Sequence, residues 1–339
     1  MSIPWPVWGS YPKSQNRIQY GSHCGEIMGE KDGYLICKCS NCILVHVLPL
    51  PSEEFLAEYY SKQFYSVSKP DYIERYERDR EWWEMHHSYT VAQSLSLLRG
   101  STAYADEDSW KKELRVLDIG SGPGIFLDCA KRAGFETYGI EPDPAIAVRT
   151  LGRGHTMFVG MLNDLMGENS DLYAPMPGLY DMVHAYEVLE HVPDPEGFID
   201  TCRQLLAPGG VLCITVPNDY NLLQLKAQKK LGLKEWWLAP PEHLNYFEPK
   251  SLQLMVRRVG FKVNDIRTNF PLEKFLLNDK NYIGNDTLGR ECHISRMEYE
   301  FACRDMDGFE DLMNDYRDQC SDPYSGTIGR DLTIIATKE

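Results

Sequence analysis

The chain has 339 residues, with 35 Lys+Arg against 50 Asp+Glu for a formal charge of −15, and this acidity argues against a general binder of nucleic acid or another polyanion. At 43% hydrophobic and 25% charged, with 26 Gly and 20 Pro spread along its length, it has the composition of an ordinary globular protein, which excludes a disordered or collagen-like chain. At about 150 residues per domain the length allows about two domains, or one large α/β domain with appendages.

The first ten residues, MSIPWPVWGS, lack the basic and apolar regions of a signal peptide, and no window approaches about 18 consecutive apolar residues. A cytoplasmic chain without a membrane span is expected. In that reducing compartment clustered cysteines more often bind metal than pair, and four of the ten fall between Cys24 and Cys42. Residues 1–51 form a Cys-rich module in which Ile43–Leu48 reads as a strand ended by Pro49-Leu-Pro51. Residues 52–112 turn helical: Ser52-Glu-Glu is a capping start, and Tyr72, Tyr76, Trp82, Trp83, Tyr89, Leu95 and Leu98 supply apolar faces at helical spacing. This stretch is expected to be a linker or lid.

From residue 113 to 339 strands and helices alternate. Strands are expected at 114–119, 137–140, 155–159, 180–185 and 210–216, and helices at 124–134, 144–152 and 195–206. That alternation predicts an α/β fold with a mostly parallel, doubly wound sheet, whose ligand lies beyond the carboxyl ends of the strands, just after residues 119, 140, 185 and 216. A further helix is expected at 251–260 and a final strand at 330–336, with an acidic helical insertion at about 271–326.

The first strand runs into Asp118-Ile-Gly120-Ser-Gly122-Pro-Gly124 and then a helix. Glycines there let the backbone turn sharply and approach a ligand, and the helix N-terminus offers free N–H groups. The dinucleotide fingerprint wants a third glycine where Ile125 stands, which counts against a nicotinamide cofactor, and the Lys-Ser/Thr pair of a P-loop is missing. A second acid, Glu141, ends the second strand 23 residues after Asp118; a carboxylate so placed can accept both hydroxyls of a ribose.

The set Val116-Leu-Asp-Ile-Gly-Ser-Gly-Pro-Gly124, Gly139-Ile-Glu-Pro142, Tyr180-Asp-Met-Val183 through Glu187-Val-Leu-Glu-His-Val192, and Leu206-Ala-Pro-Gly-Gly210 resembles class I S-adenosylmethionine-dependent methyltransferases over about residues 114–270. The resemblance implies a Rossmann-like fold and S-adenosylmethionine as cofactor. It implies Asp118, Gly120, Gly122 and Gly124 at the methionine end and Glu141 with Pro142 on the ribose. Met161 and Leu162 would flank the adenine, Asp164 would supply the usual nearby acid, and Tyr186 would lie near the sulfonium.

Cys39-Ser-Asn-Cys42 is a Cys-x2-Cys turn, and Cys24-Gly25 looks like half of another with Gly21 where its first Cys would stand. Tetrahedral zinc needs four N/S ligands; Cys24, Cys39 and Cys42 give three, and either Cys37 or His23 the fourth. The segment from Cys39 to Tyr60 also resembles the N-terminal zinc-knuckle module of some sugar C-methyltransferases, which implies a structural zinc.

A sulfonium is already an activated electrophile, so the protein must align the acceptor and relieve it of a proton. His191, in Glu190-His-Val-Pro, and His243, in Pro240-Pro-Glu-His-Leu-Asn-Tyr-Phe247, lie near expected strand ends. His243, with Glu242 raising its pKa, is the expected base, as a Glu-His pair serves in similar sugar C-methyltransferases, and it also reads as a cap for the helix starting near Pro249; His191 either braces the site or acts on the substrate. Lys226, Lys229, Lys230 and Lys234 read as a solvated helix face or as a contact for an anionic acceptor, Trp236-Trp237 as packing, and Tyr65, Tyr72 and Tyr76 as residues able to close over the cofactor. The expected activity is methyl transfer to oxygen or carbon of a small-molecule acceptor such as a nucleotide-linked sugar, with no nucleic-acid or membrane partner and no oligomeric state legible. The rival reading is a catalytically silent protein of the same fold that holds a protein partner.

Overall fold

The computed structural model describes residues 17–20, 23–101, 103, 113–165, 178–321 and 327–339, without the side chains at 17–20, 164, 165 and 321. The N-terminal segment read for targeting, Gly21, the side chain of Asp164, and the stretches 104–112 and 322–326 lie outside the described residues.

Strands β1 (Arg17–Tyr20), β2 (His23–Lys31), β3 (Tyr34–Cys39) and β4 (Val45–Leu48) form an antiparallel sheet. Helices α1 (Glu53–Lys62), α2 (Tyr72–Arg78) and α3 (Arg80–Gly100) follow, with a π-helical turn at Phe64–Ser68. Ser52 caps α1 by accepting from the Phe55 N–H, as its sequence start predicts.

The second sheet has seven strands: β5 (Arg115–Ile119), β6 (Glu136–Glu141), β7 (Thr156–Val159), β8 (Tyr180–Tyr186), β9 (Leu206–Pro217), β11 (Phe261–Thr268) and β12 (Asp331–Lys338). Its spatial order is β11-β12-β9-β8-β5-β6-β7, with only the β11–β12 and β12–β9 pairs antiparallel. The order reverses beside β5, so the loop after β5 sits at the topological switch point where such sheets open a crevice. The remaining strand, β10 (Asn245–Tyr246), pairs with β4 and ties the small sheet to a loop of the large domain.

Helices α4 (Ile125–Arg132), α5 (Pro144–Leu151), α6 (Leu162–Leu165), α7 (Pro195–Leu205), α8 (Leu222–Leu231) and α9 (Pro249–Arg258) connect and cover these strands. Phe126 and Leu127 of α4 are buried with Val91 and Leu98 of α3 and Val116 of β5, each such side chain worth about 1.5–3 kcal/mol. Within the expected linker, α3 is thus a layer of the sheet domain. The stretch read as an acidic insertion holds α10 (Glu273–Leu277), α11 (Asp286–Asp305) and α12 (Phe309–Ser321). Its Glu300, wholly buried, accepts from Trp82 Nε1 (2.5 Å) and Tyr316 Oη (3.0 Å) and pairs with His86 Nε2 (3.0 Å), so α11 is pinned to α3 from inside. Among the described residues no helix is long and apolar enough to cross a membrane.

Five strands escaped the pattern reading: β1, the two-residue β10, β2, β3 and β11. In β2, His23-Cys-Gly-Glu-Ile-Met-Gly-Glu-Lys31, two glycines dilute a single β-branched residue, and pairing with β3 rather than propensity makes the strand. The same pairing orders β3. In β11 the pairing slips between Val263 and Asp265, which breaks the period-two alternation that would have announced it.

Candidate active site

The glycine loop between β5 and α4 puts Gly120 (φ 70), Gly122 (φ 46) and Gly124 (φ 70) in the left-handed region, a conformation that glycine adopts without a Cβ penalty. The Gly120 and Ser121 N–H groups both donate to the Ile140 carbonyl (2.9 and 3.0 Å), which locks the loop onto the end of β6. Glu141, buried at that end, accepts from the Gly122 N–H (2.9 Å), the Asp143 N–H (3.0 Å) and Tyr65 Oη (3.4 Å). Burial pushes its pKa up to about 7, against the pull of those donors. Asp118 is also buried, with Oδ1 paired to His184 Nδ1 at 2.7 Å, and His184 stacks on Phe126 with centroids 3.6 Å apart. His184 carried no motif; its place on β8, alongside Asp118 in the parallel register, is what joins them.

One cavity opens beside the loop and another near the ends of β8 and β9. The first is lined by Gly120, Pro142, Met161, Leu162, Val188 and His191, with Leu56 and Ala57 of α1 on its wall. The other lies under α3 and α11, between Trp83, His87, Tyr186, Thr215, Arg267 and Arg296. Of the expected cofactor residues, Gly120, Pro142, Met161 and Leu162 line the first cavity and Tyr186 the second. Between them runs an aromatic ladder: Tyr72 stacks on Tyr76 and Tyr76 on Trp83, each at 4.4 Å, and Trp83 meets Tyr186 edge-on at 5.6 Å. Tyr65 stands edge-on to Tyr72, and its hydroxyl lies 3.5 Å from where a Gly122 Cβ would be. Tyr65 and Tyr72 therefore lie over Gly122, with Tyr76 stacked on Tyr72.

His191 and His243 come together, with ring centroids 4.9 Å apart, because the loop before β10 docks on the turn after β8: the Leu244 N–H donates to the Glu190 carbonyl at 2.7 Å and His191 Nδ1 to the Glu242 carbonyl at 2.6 Å. Glu242 does not serve His243 as expected. Its carboxylate accepts from Tyr59 Oη (2.6 Å) and pairs with Lys69 (3.5 Å), and burial, then His191, Arg330 and Lys69, hold the His243 pKa well below 6.5. His243 is accordingly neutral throughout the physiological range. Glu187, at the end of β8, takes a positive φ of 53, and burial followed by Asp331 raises its pKa to about 8.

In the small sheet the metal-competent group is His23, Cys39, Cys42 and His46, whose donor atoms all lie within 4.8 Å of one another. Cys39 and Cys42 were expected there; Cys24 and Cys37 lie outside the group. Successive strand residues face opposite sides, so with His23 turned inward Cys24 is left near Asn41 (3.5 Å), and Cys37 packs among Leu35 and Leu48. His46 was missed because it sits inside an apolar run; its Cys42-x3-His46 spacing was the available signal. The lysines at 226, 229, 230 and 234 are exposed, with Lys230 paired to Asp279, and Trp237 packs against Tyr220 in the small-sheet core.

A family model described as a methyltransferase domain matches residues 80–266, beginning at the first residue of α3. The ubiquinone biosynthesis O-methyltransferase of Pseudomonas aeruginosa (strain LESB58) is 30% identical over 190 residues, 55% of this chain and 79% of that one. A protein of the same name from Saccharophagus degradans is 28% identical over 224 residues, 62% of this chain and 92% of its own. A solved S-adenosylmethionine-dependent methyltransferase from Archaeoglobus fulgidus is 19% identical, over 74% of this chain and 94% of that one, with a TM-score of 0.42. The match covers more than half of the chain, over the switch-point loop and the strand ends where the cavities open: the chain belongs to the methyltransferase domain family and is an S-adenosylmethionine-dependent methyltransferase of a small-molecule acceptor.

Proposed function

We propose that the chain methylates a hydroxyl oxygen of a small molecule, with the adenine of S-adenosylmethionine between Met161 and Leu162, its ribose hydroxyls on Glu141 beside Pro142, and its methionine end along Asp118, Gly120, Gly122 and Gly124. The observation that carries this is Glu141: a buried carboxylate at the end of β6, beside the cavity at the switch point, held by donors of the glycine loop. Tyr186 and the aromatic ladder would then border the sulfonium, and Glu190, His191 and His243 the acceptor. The relatives' name supports oxygen over carbon, and the exposed lysines of α8 give no support to a nucleotide-linked acceptor. Calorimetric titration with S-adenosylhomocysteine tests the cofactor site; binding of NADH but not of S-adenosylhomocysteine would overturn it.

We also infer a structural zinc held by His23, Cys39, Cys42 and His46. Bond lengths of about 2.0–2.3 Å place tetrahedral ligand atoms roughly 3.3–3.8 Å apart, and the structure has Cys42 Sγ at 3.1 Å from His23 Nδ1, 3.2 Å from Cys39 Sγ and 3.7 Å from His46 Nε2. His46 Nδ1 lies 3.2 Å from the Val47 carbonyl, which orients the ring with Nε2 toward the sulfurs. On this reading residues 1–51 are a zinc module, 52–79 a strap over the cofactor and 80–339 the catalytic domain. Ten free cysteines and the acidic charge favour a cytoplasmic enzyme without a nucleic-acid partner.

A further inference from the structure

In a chain with a formal charge of −15, the cavity under α3 and α11 is an exception. Its described lining includes Arg267, Arg296, His86, His87 and His184, and no Asp or Glu. Arg267 is already engaged: Nη1 donates to Gln93 Oε1 (2.5 Å) and Asp265 Oδ2 (2.9 Å), and Nη2 to Thr90 Oγ1 (2.8 Å). Asp265 also pairs with Arg317 (2.5 Å), so two guanidiniums share that one carboxylate and the wall keeps positive charge in excess.

Arg296 is not engaged in this way. It is 5% exposed, and its Nε is buried with no hydrogen-bond partner. Its ion-pair partner, Glu300, keeps Oε2 3.7 Å away, beyond hydrogen-bond reach, and meets Trp82 Nε1, His86 Nε2 and Tyr316 Oη instead. The guanidinium lies over the Trp82 ring, Cζ 4.4 Å from its centroid, a contact that holds the fork without using its N–H groups. A buried donor without a partner is costly. The group that answers this fork is a carboxylate, whose two oxygens take parallel hydrogen bonds from it.

Tyr186, at the end of β8, lines the same cavity, so the fork stands on the side of the site assigned to the sulfonium. Arg296, Met313 and Tyr316 come from α11 and α12, beyond residue 266, where the family match ends. The expected cofactor residues, 118–186, all lie within the matched stretch. An anion-binding wall added from outside that stretch is therefore assigned to the acceptor rather than to the cofactor's own carboxylate. We propose that Arg296 binds a carboxylate carried by the acceptor, which is then a hydroxy acid with its carboxylate at α11 and its hydroxyl toward the sulfonium. Arg296 thereby sets specificity, because a neutral analogue leaves the buried guanidinium unpaired. The rings of Trp82, Trp83 and Tyr316 around it suit a flat acceptor body. The inference rests on the methyltransferase site described above and names its substrate class.

The probes are 4-hydroxybenzoate and 4-hydroxybenzamide, flat hydroxyl compounds of nearly the same shape that differ in charge. With S-adenosylhomocysteine saturating, calorimetric titration of the full chain should show the acid binding at least about tenfold more tightly than the amide. Arg296→Gln should remove that preference, and Arg296→Lys, which keeps the charge and loses the fork, should restore part of it. Both variants should bind S-adenosylhomocysteine within about threefold of wild type, which also shows that they fold. Wild-type protein that binds the two probes equally, or binds neither, overturns the proposal whatever the variants do. If Arg296→Gln instead loses at least about tenfold in S-adenosylhomocysteine affinity and keeps the preference for the acid, the guanidinium holds the cofactor's methionine carboxylate, and the proposal is likewise overturned. Failure of wild-type protein to bind S-adenosylhomocysteine would overturn the cofactor reading, and the same two probes titrated without it then judge the carboxylate site by itself.

Discussion

If Glu141 carries the ribose, cofactor affinity must follow its ionisation. Its carboxyl is held near pKa 7 by burial, above the ordinary carboxylate range, while the Gly122 and Asp143 N–H donors pull it down. Ribose hydroxyls donate, and so favour the charged form; binding is therefore coupled to loss of a proton, and affinity rises as pH rises through 7. With a pKa of about 7 the group is about one-tenth ionised at pH 6 and about nine-tenths at pH 8. If only the carboxylate binds, S-adenosylhomocysteine should bind about tenfold more tightly at pH 8 than at pH 6, or about 1.4 kcal/mol. Glu141→Gln keeps the shape and removes the titration. It should bind about 1–3 kcal/mol more weakly than wild type at pH 8, through loss of charge-assisted bonds, and its affinity should change far less over the same pH range. Titration calorimetry in two buffers of different ionisation enthalpy reads both affinity and protons released, expected near one at pH 6 and near zero at pH 8. Equal pH slopes for wild type and Glu141→Gln would refute the assignment.

Elemental analysis of protein purified without added metal should give about one zinc per chain in Cys37→Ser, as in wild type, and clearly less in His46→Ala and in Cys39→Ser/Cys42→Ser, with a lower melting temperature in the latter two, since metal binding is coupled to folding of the module; retention of zinc in His46→Ala would refute the ligand set. Gly124→Ala should destabilise the protein by about 1–3 kcal/mol in denaturant titration, because φ is 70 there and a Cβ would come within 2.6 Å of Thr150 Cγ2. Trp82→Phe removes the indole N–H from Glu300, a carboxylate buried between α3 and α11; thermal unfolding should show a loss of about 1–3 kcal/mol, and an unchanged melting temperature would show that α11 is held by other contacts.

Local signals carried the large sheet. The apolar runs that became β5, β6, β8 and β9 are bounded by glycine turns, and helices such as α7, with Asp194 and Pro195 at its start, bear their stop and start residues in the chain itself. The glycine loop was legible for the same reason, since φ values of 46 and 70 select glycine at positions 120, 122 and 124. Contacts across long separations were not. Glu190 and His191 lie about fifty residues before Glu242 and His243, and only the docking of Leu244 on the Glu190 carbonyl turns Glu242 toward Tyr59 and leaves the two imidazoles beside an unpaired carboxylate. Likewise the sequence put Cys24 among the ligands and left His23 as an alternative to Cys37 for the fourth, and the pleat of β2 reverses that order, because neighbouring strand residues face opposite sides and one of the two must turn away from Cys42.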